Sequence, residues 1–410
     1  MSHLLHPAAN LEGDELEDPL PPEIEFDEAQ QVTALDLHPC RNLLAAGLTD
    51  GRVSMQSFKI GSAKIVNDTK MHKGSCRFVA FTPSGDSLYS VANDRSIRGM
   101  DVKTEQMVYD NTRSEHRNSI NCMKFVAEQT FYTGDDAGYI KMWDLRKSLI
   151  KPVHTMRDNV DQITCLEADD HSRRVFATSL DGCMTIIDVR SKKKDPIEDV
   201  IGPMKKNELT CVAVLDRGMH VTVGTSKGTI FVWKHGAWRA PRTSIKGHPE
   251  DIHCFLKASE QHILTGSADG AIRYLRILPE NERSFDKLVA HHKEQDLDVD
   301  VDFGIEAMRF NFNKRWLAYI SHDSCIHWAD VSKLEDPDSF VCQSEPRVKG
   351  AKRVAKARKK KKGSEPEAPA EVSASVVVPW YLANGDDAVD GGGDNTANTD
   401  SIGTSGGCTG

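Results

Sequence analysis

The chain has 410 residues, 39% of them hydrophobic and 28% charged, with a formal net charge of −9, which fits a soluble globular protein. No stretch approaches the ~18 consecutive apolar residues of a membrane span, so no membrane partner is expected. The opening "MSHLLHPAANLEGDELED" has acids where a secretory signal needs a basic region and an apolar core, and the chain is expected to work inside the cell.

In chain order, residues 1–21 form an acidic tail expected to be disordered, and residues 1–40 carry ten acids and no Lys or Arg. "PEIEF" (22–26) reads as a short strand. Seven related phrases follow: "LTDGRV" ending at Val53, "ANDRSI" at Ile97, "DDAGYI" at Ile140, "SLDGCM" at Met184, "TSKGTI" at Ile230, "SADGAI" at Ile272 and "SHDSCI" at Ile326. Their separations of 43 or 44 for three steps, then 46, 42 and 54, define units of about 45 residues. Each unit holds alternating apolar runs separated by turn signals. The third has "INCMKFV" (120–126), "TFYTG" (130–134) and "YIKMWDL" (139–145). Period-two alternation with Asp-Gly turns predicts antiparallel strands and hairpins. Four short strands per unit predict an all-β, seven-bladed β-propeller over residues 22–345.

The phrases and the "WD" ending at Trp143 and Asp144 resemble the WD-repeat family. The resemblance implies blades stitched by a His before the first strand, a small residue on the second, a turn Asp and a Trp on the third. The turn Asp is present as Asp50, Asp94, Asp181, Asp269 and Asp323, with Ala137 and Lys227 in the remaining slots. The Trp slot holds Trp143 and Trp233, and Gln56, Met100, Ile187, Leu275 and Ala329 elsewhere. The matching histidines are His116 and His248, so no blade is expected to hold the full set. In this family the N-terminal strand usually completes the last blade, which favours 22–26 over the alternative "DSFVCQ" (338–343).

The long sixth step contains "HHKEQDLDVDVDFG" (291–304). A calcium ladder would need a turn-forming Gly within the loop. An acidic outer strand with Leu297, Val299, Val301 and Phe303 facing inward is the favoured reading.

Neither a phosphate loop, a nucleophile elbow nor a zinc-protease pair is present, so no enzymatic activity and no cofactor are expected. Asp135 and Asp136 sit in a turn position, which assigns them turn and capping roles rather than acid/base catalysis. The ten cysteines are scattered singly, without a C-x-x-C pair or a Cys/His cluster, and are expected to be buried free thiols without metal.

Loops on one rim of the propeller bring together Arg146 and Lys147, Arg173 and Arg174, and Arg190, Lys192, Lys193 and Lys194. Each is explained by a solvated loop, while their convergence suggests a partner-binding surface. "IKMWDLR" (140–146), and in relaxed form "MTIIDVR" (184–190), resemble the box by which many WD-repeat proteins dock the damaged-DNA-binding adaptor of cullin-4 ubiquitin ligases. Arg146 and Arg190 would make the charge-assisted bonds.

Residues 346–363 form a basic segment, with ten cations and no acid at 347–362. Lys352, Arg353, Lys356, Arg358, Lys359, Lys360, Lys361 and Lys362 can neutralise phosphates but cannot read bases. A nuclear or nucleolar localisation signal, compatible with non-specific RNA contact, is expected. Residues 364–410 are low-complexity sequence expected to be disordered, and carry all eight acids that lie beyond residue 362. That leaves a near-neutral centre. Within the last segment "VVVPWYL" (376–382) is an apolar island, either a docking motif or a chance cluster.

"TGDDAGYIKMWDLRK", "SLDGCMTIIDVRSKK", "GTSKGTIFVW", "LTGSADGAIRYLRILP" and the Lys-rich segment after the last unit resemble the WD repeat protein 55 family. That resemblance implies a non-enzymatic nucleolar scaffold linked to ribosomal RNA production and ribosome biogenesis, with ribosome-assembly proteins as partners. A substrate receptor of a cullin-4 ligase is the alternative.

Overall fold

Blade 3 shows how the repeated sequence becomes a sheet. Strands Ile120–Ala127, Thr130–Asp135, Ile140–Asp144 and His154–Met156 pair antiparallel in that order. Ile140 and Trp143 are buried within the third strand. The turn before it needs Gly138 at φ +80°. A Cβ there would lie 2.4 Å from the Asn159 carbonyl oxygen, so both backbone conformation and space demand glycine.

The computed structural model describes residues 20–332, except 28, 113, 148–149, 170, 172, 192, 194, 205–206, 278–292 and 298–302. Within them the chain forms seven four-stranded sheets. It is an all-β, seven-bladed propeller. The first strands, Val32–Leu37, Cys76–Phe81, Ile120–Ala127, Ile163–Ala168, Leu209–Leu215, Ile252–Lys257 and Ala307–Phe310, contact one another in turn, and the last contacts the first. No helix among the described residues is long and apolar enough to cross a membrane.

The blades are joined by apolar side chains trapped between neighbouring sheets. Between blades 2 and 3, Tyr89 lies 5.4 Å from Phe125 and 5.9 Å from Phe131, and Phe131 stacks 6.2 Å from Trp143 (centroid distances). Burying each such ring is worth roughly 1.5–3 kcal/mol. Where blade 7 meets blade 1, Phe58 packs against Trp328 at 4.5 Å and Trp316 at 6.3 Å. On the inner strands Arg309 donates to Asp36 over 3.1 Å. Burial raises the pKa of Asp36, and the Arg309 charge opposes that rise.

The expected N-terminal closure is found. Ile24–Glu25 is the outer strand of blade 7, with Ile24 opposite Ile326 and Glu25 opposite Cys325. Trp328 Nε1 donates to the Pro22 carbonyl at 3.1 Å and anchors the approach. The alternative segment, 338–343, lies outside the described residues, as do the tails and the end of the expected propeller range.

Three expectations need correction. Blade 3 does hold the full stitching network. Trp143 Nε1 donates to Thr133 Oγ1 at 2.8 Å, His116 Nε2 lies 2.8 Å from the same hydroxyl, and His116 Nδ1 lies 2.7 Å from Asp135 Oδ2. Burial lowers the His116 pKa, and Thr133, already accepting from Trp143, has its own hydrogen to give. The His116 Nδ1–H donates to Asp135 and its Nε2 accepts from Thr133. Asp135 stands two residues before the turn slot, yet caps the turn by accepting from Ala137 N at 3.0 Å and Tyr139 N at 2.9 Å. In blade 5, the other unit without a turn Asp, Thr225 Oγ1 does the same for Thr229 N at 3.1 Å.

Blade 2 also carries a histidine that the sequence pattern missed, His72, with its nitrogens 2.7 Å from the Ser90 and Ser96 hydroxyls. Trp233 lacks such a network because Val223 fills the hydroxyl slot ten residues earlier, and its buried indole N–H finds no acceptor among the described residues.

The second correction concerns blade 6, whose outer strand is Lys293–Leu297. It lies earlier than the favoured 297–303 reading, and Phe303 is half exposed. Val299 and Val301 lie outside the described residues. Third, the cysteines described are free thiols, but only Cys76, Cys122 and Cys211 are fully buried, Cys165, Cys183, Cys254 and Cys325 are partly buried, and Cys40 is exposed in the turn after the first strand of blade 1.

The two adjacent carboxylates of blade 3 are thus unequal. Asp135 is fully buried, whereas Asp136 is half-buried and accepts from the Asn121 amide. Asp135→Ala strands the His116 N–H and two turn amides and should cost about 3 kcal/mol in urea unfolding. Asp136→Ala should cost about 1 kcal/mol. Equal losses would refute the unequal assignment.

Candidate partner-binding rim

Turns between first and second strands, and connections from third to outer strands, open on the same rim. In blade 3 the third strand ends at Asp144, whose carboxylate accepts from the Arg146 backbone N–H at 3.1 Å and so starts the turn. The same carboxylate takes the Arg146 guanidinium as a two-pronged pair, Nε to Oδ1 and Nη2 to Oδ2, both 2.9 Å. The Arg146 side chain nevertheless stays 67% exposed. The side-chain bonds from Arg146 hold the Asp144 carboxyl below the usual range. Arg146 is therefore pre-positioned, with its remaining N–H groups facing solvent, which lowers the ordering cost of engaging an acceptor.

Blade 4 repeats the geometry less tightly. Asp188 accepts from Arg190 N at 3.0 Å, and Arg190 Nε lies 3.5 Å from Asp188 with the side chain 60% exposed. Lys147, Arg173 and Lys193 are exposed on the same rim. Lys193, Ser191, Asp188, Pro196, Ile197 and Glu198 line an open depression of about 580 Å³. Arg174 is different. It forks onto Glu198 of its own outer strand, 2.6 and 3.2 Å away, and so holds blade 4 together. Lys192, Lys194 and the cluster from Lys352 to Lys362 lie outside the described residues.

Two exposed arginines missed in the sequence extend this rim into blade 5. Arg217 lies in the first turn and Arg239 in the third-to-outer connection. Only the assignment of turns to faces could have found them. The other structural aspartates, Asp50, Asp94, Asp181, Asp269 and Asp323, each accept the backbone N–H two residues on, at 2.8–3.2 Å, and Asp50, Asp94 and Asp181 also accept from Gln30, Lys73 N and Val160 N at the entry to their blades.

The opposite rim is acidic where blades 5 to 7 meet. Burial raises the pKa of Asp251, and the nearby Glu208 and Glu250 charges raise it further. Glu306, at the entry to the first strand of blade 7, lies 3.0 Å from His253 Nδ1 and 3.1 Å from His322 Nε2. Burial pushes the Glu306 pKa up, but the bonds from the two imidazoles win and hold it at about 2. Burial would lower the His253 pKa, and Glu306 raises it overall. This arrangement locks blades 6 and 7 electrostatically.

The WDR55 family model matches residues 21–334. The WD repeat-containing protein 55 homolog of Aedes aegypti is 30% identical over 332 residues, 80% of this chain and 65% of that protein. The chain thus matches slightly less than two thirds of that relative's length. The Homo sapiens WD repeat-containing protein 55 is 30% identical over 305 residues, 74% of this chain and 75% of its own. The Arabidopsis thaliana WD repeat-containing protein 55 is 28% identical over 314 residues, 76% and 83% of the two chains.

The Glu306 pair makes a pH prediction. The carboxyl pKa falls from an ordinary 4.5 to about 2 on folding, so its contribution is present above pH 4.5 and fades as pH drops toward 2. His253 has the opposite sign, contributing below its ordinary 6.5 and losing that as pH rises through its raised folded value. Urea unfolding across pH 2–8 should show both slopes, and Glu306→Gln should flatten both. A variant retaining the wild-type slopes would contradict the pairing.

Proposed function

From the premise that the chain belongs to the WDR55 family, we propose that it is a non-enzymatic nucleolar scaffold. On this reading its basic rim holds ribosome-assembly proteins while ribosomal RNA is made and processed. A scaffold role is what the WD-repeat propeller and the family support in general. The observation that carries the reading is the family match across all seven blades. The buried Asp135–His116–Thr133–Trp143 chain is occupied in stitching blade 3. The loops are left as the recognition surface, as is usual where a rigid scaffold carries function.

The 347–362 cations would concentrate the protein in the nucleus and nucleolus through receptor recognition or non-specific RNA contact. Deleting 347–362 from the tagged chain should disperse it from nucleoli, as seen by imaging. Unchanged nucleolar residence would end the localisation reading. Partners are to be identified by affinity purification with and without nuclease, which separates protein contacts from RNA bridging.

A second reading is favoured by one geometric fact: Arg146 and Arg190 occur at the same place in adjacent blades, each beside an aspartate two residues earlier. Such a pair suits docking to the adaptor of a cullin-4 ligase, with this chain as substrate receptor. Arg146→Glu with Arg190→Glu should abolish adaptor co-purification while leaving the thermal unfolding midpoint within a few degrees. Absence of the adaptor from wild-type purifications would dispose of this reading without touching the first.

A further inference from the structure

The closure of blade 7 carries a cluster of metal-ligating side chains. Its third strand, Cys325–Asp330, pairs with an N-terminal strand of only two residues. Cys325 and His327 flank the fully buried Ile326 on this strand, so their side chains share its other face, and Asp323 joins them from the preceding turn through its contact with His327 Nε2. One ligand atom from each lies within 4.8 Å of the others.

We propose that Asp323, Cys325 and His327 form a Zn²⁺ site that staples the N-terminal segment to blade 7. A thiolate, an imidazole and a carboxylate together favour Zn²⁺ over Ca²⁺ or Mg²⁺, which take oxygen ligands. An independent observation concerns the other side of the imidazole. His327 Nδ1 lies 2.8 Å from Glu23 Oε1, while Nε2 faces Asp323 Oδ2 at 2.5 Å. A metal-binding histidine characteristically donates its second N–H to a carboxylate, which orients the ring and directs the other lone pair at the metal. Here that orienting carboxylate comes from the N-terminal segment, so metal binding and ring closure share one residue. Solvent supplies the remaining coordination.

The 2.5 Å separation of Nε2 and Oδ2 is shorter than two ligands on one metal allow at about 2.0–2.2 Å each. The Asp323 carboxylate therefore swings outward by roughly 1 Å on binding, which its partly exposed side chain permits. Its Oδ1 can still cap the turn through Cys325 N. Coordination bonds form to the Cys325 sulfur and the imidazole lone pair, and the thiol proton and any Nε2 proton leave to solvent.

The test uses the full chain, stripped with a chelator and titrated with Co²⁺ and then Zn²⁺. One Co²⁺ per chain should bind with a thiolate-to-metal charge-transfer absorption that Zn²⁺ then abolishes. Cys325→Ser should lose that absorption, Asp323→Asn should weaken binding, and Glu23→Gln should weaken it about 10-fold through loss of the orienting carboxylate. Zn²⁺ should raise the thermal unfolding midpoint of the wild type and not of Cys325→Ser. Circular dichroism of each variant separates lost binding from lost folding, and Asp323→Asn retains a turn-capping oxygen should Cys325→Ser fold poorly. Absence of the absorption in the wild type, or wild-type affinity in folded Cys325→Ser, would overturn the site.

Discussion

In every blade the turn from second to third strand points a backbone N–H into the sheet, where an unpaired donor would be costly. A side-chain oxygen two residues before that amide must receive it, and the rest of the structure depends on this bond. Asp50, Asp94, Asp181, Asp269 and Asp323 supply it directly. Asp135 and Thr225 supply it from two residues earlier in the chain, with a second bond to the residue after the glycine. The turn is shifted in sequence but its amides remain satisfied. In blade 3 the same carboxylate continues through His116 and Thr133 to Trp143, tying the turn, the entry to the first strand and the third strand into one chain of bonds.

Ring closure is a second demand, because among the described residues blade 7 draws only three strands from its own stretch of chain. The fourth comes from Ile24–Glu25, supported by Trp328 on Pro22 and by Phe58 between Trp316 and Trp328. With so short a strand, side chains carry much of the closure, and the carboxylates at Glu23 and Asp323 converge on His327. On the other rim, Arg146 is oriented by Asp144 and still faces solvent.

Most of the propeller was readable because strand alternation and turn chemistry are local. The seven phrases marked seven turns, while the closing strand was favoured only through the family resemblance. The stitching networks were less readable. Counting from the turn slot gave Ala137 in blade 3, and the capping role assigned to Asp135 did not reveal its bond to His116, because what matters there is the reach of a carboxylate rather than its sequence position. His72 was missed for the same reason. Arg146 and Arg174 looked equivalent as rim cations, yet Arg174 is committed to Glu198, 24 residues away, a pairing that exists only once the outer strand is in place. The acidic run after residue 293 read plausibly as a 297–303 strand, since alternation specifies a strand but not its register.

By itself the sequence determined the number of units, the all-β class, the positions of the turns and the glycines they require. These follow from period-two burial and from backbone conformations that only certain residues adopt. Only the tertiary structure decided which side chain completes each turn, which strand closes the ring and which rim cations remain exposed. Those outcomes depend on groups distant in the chain meeting within about 3 Å, a condition no local pattern encodes.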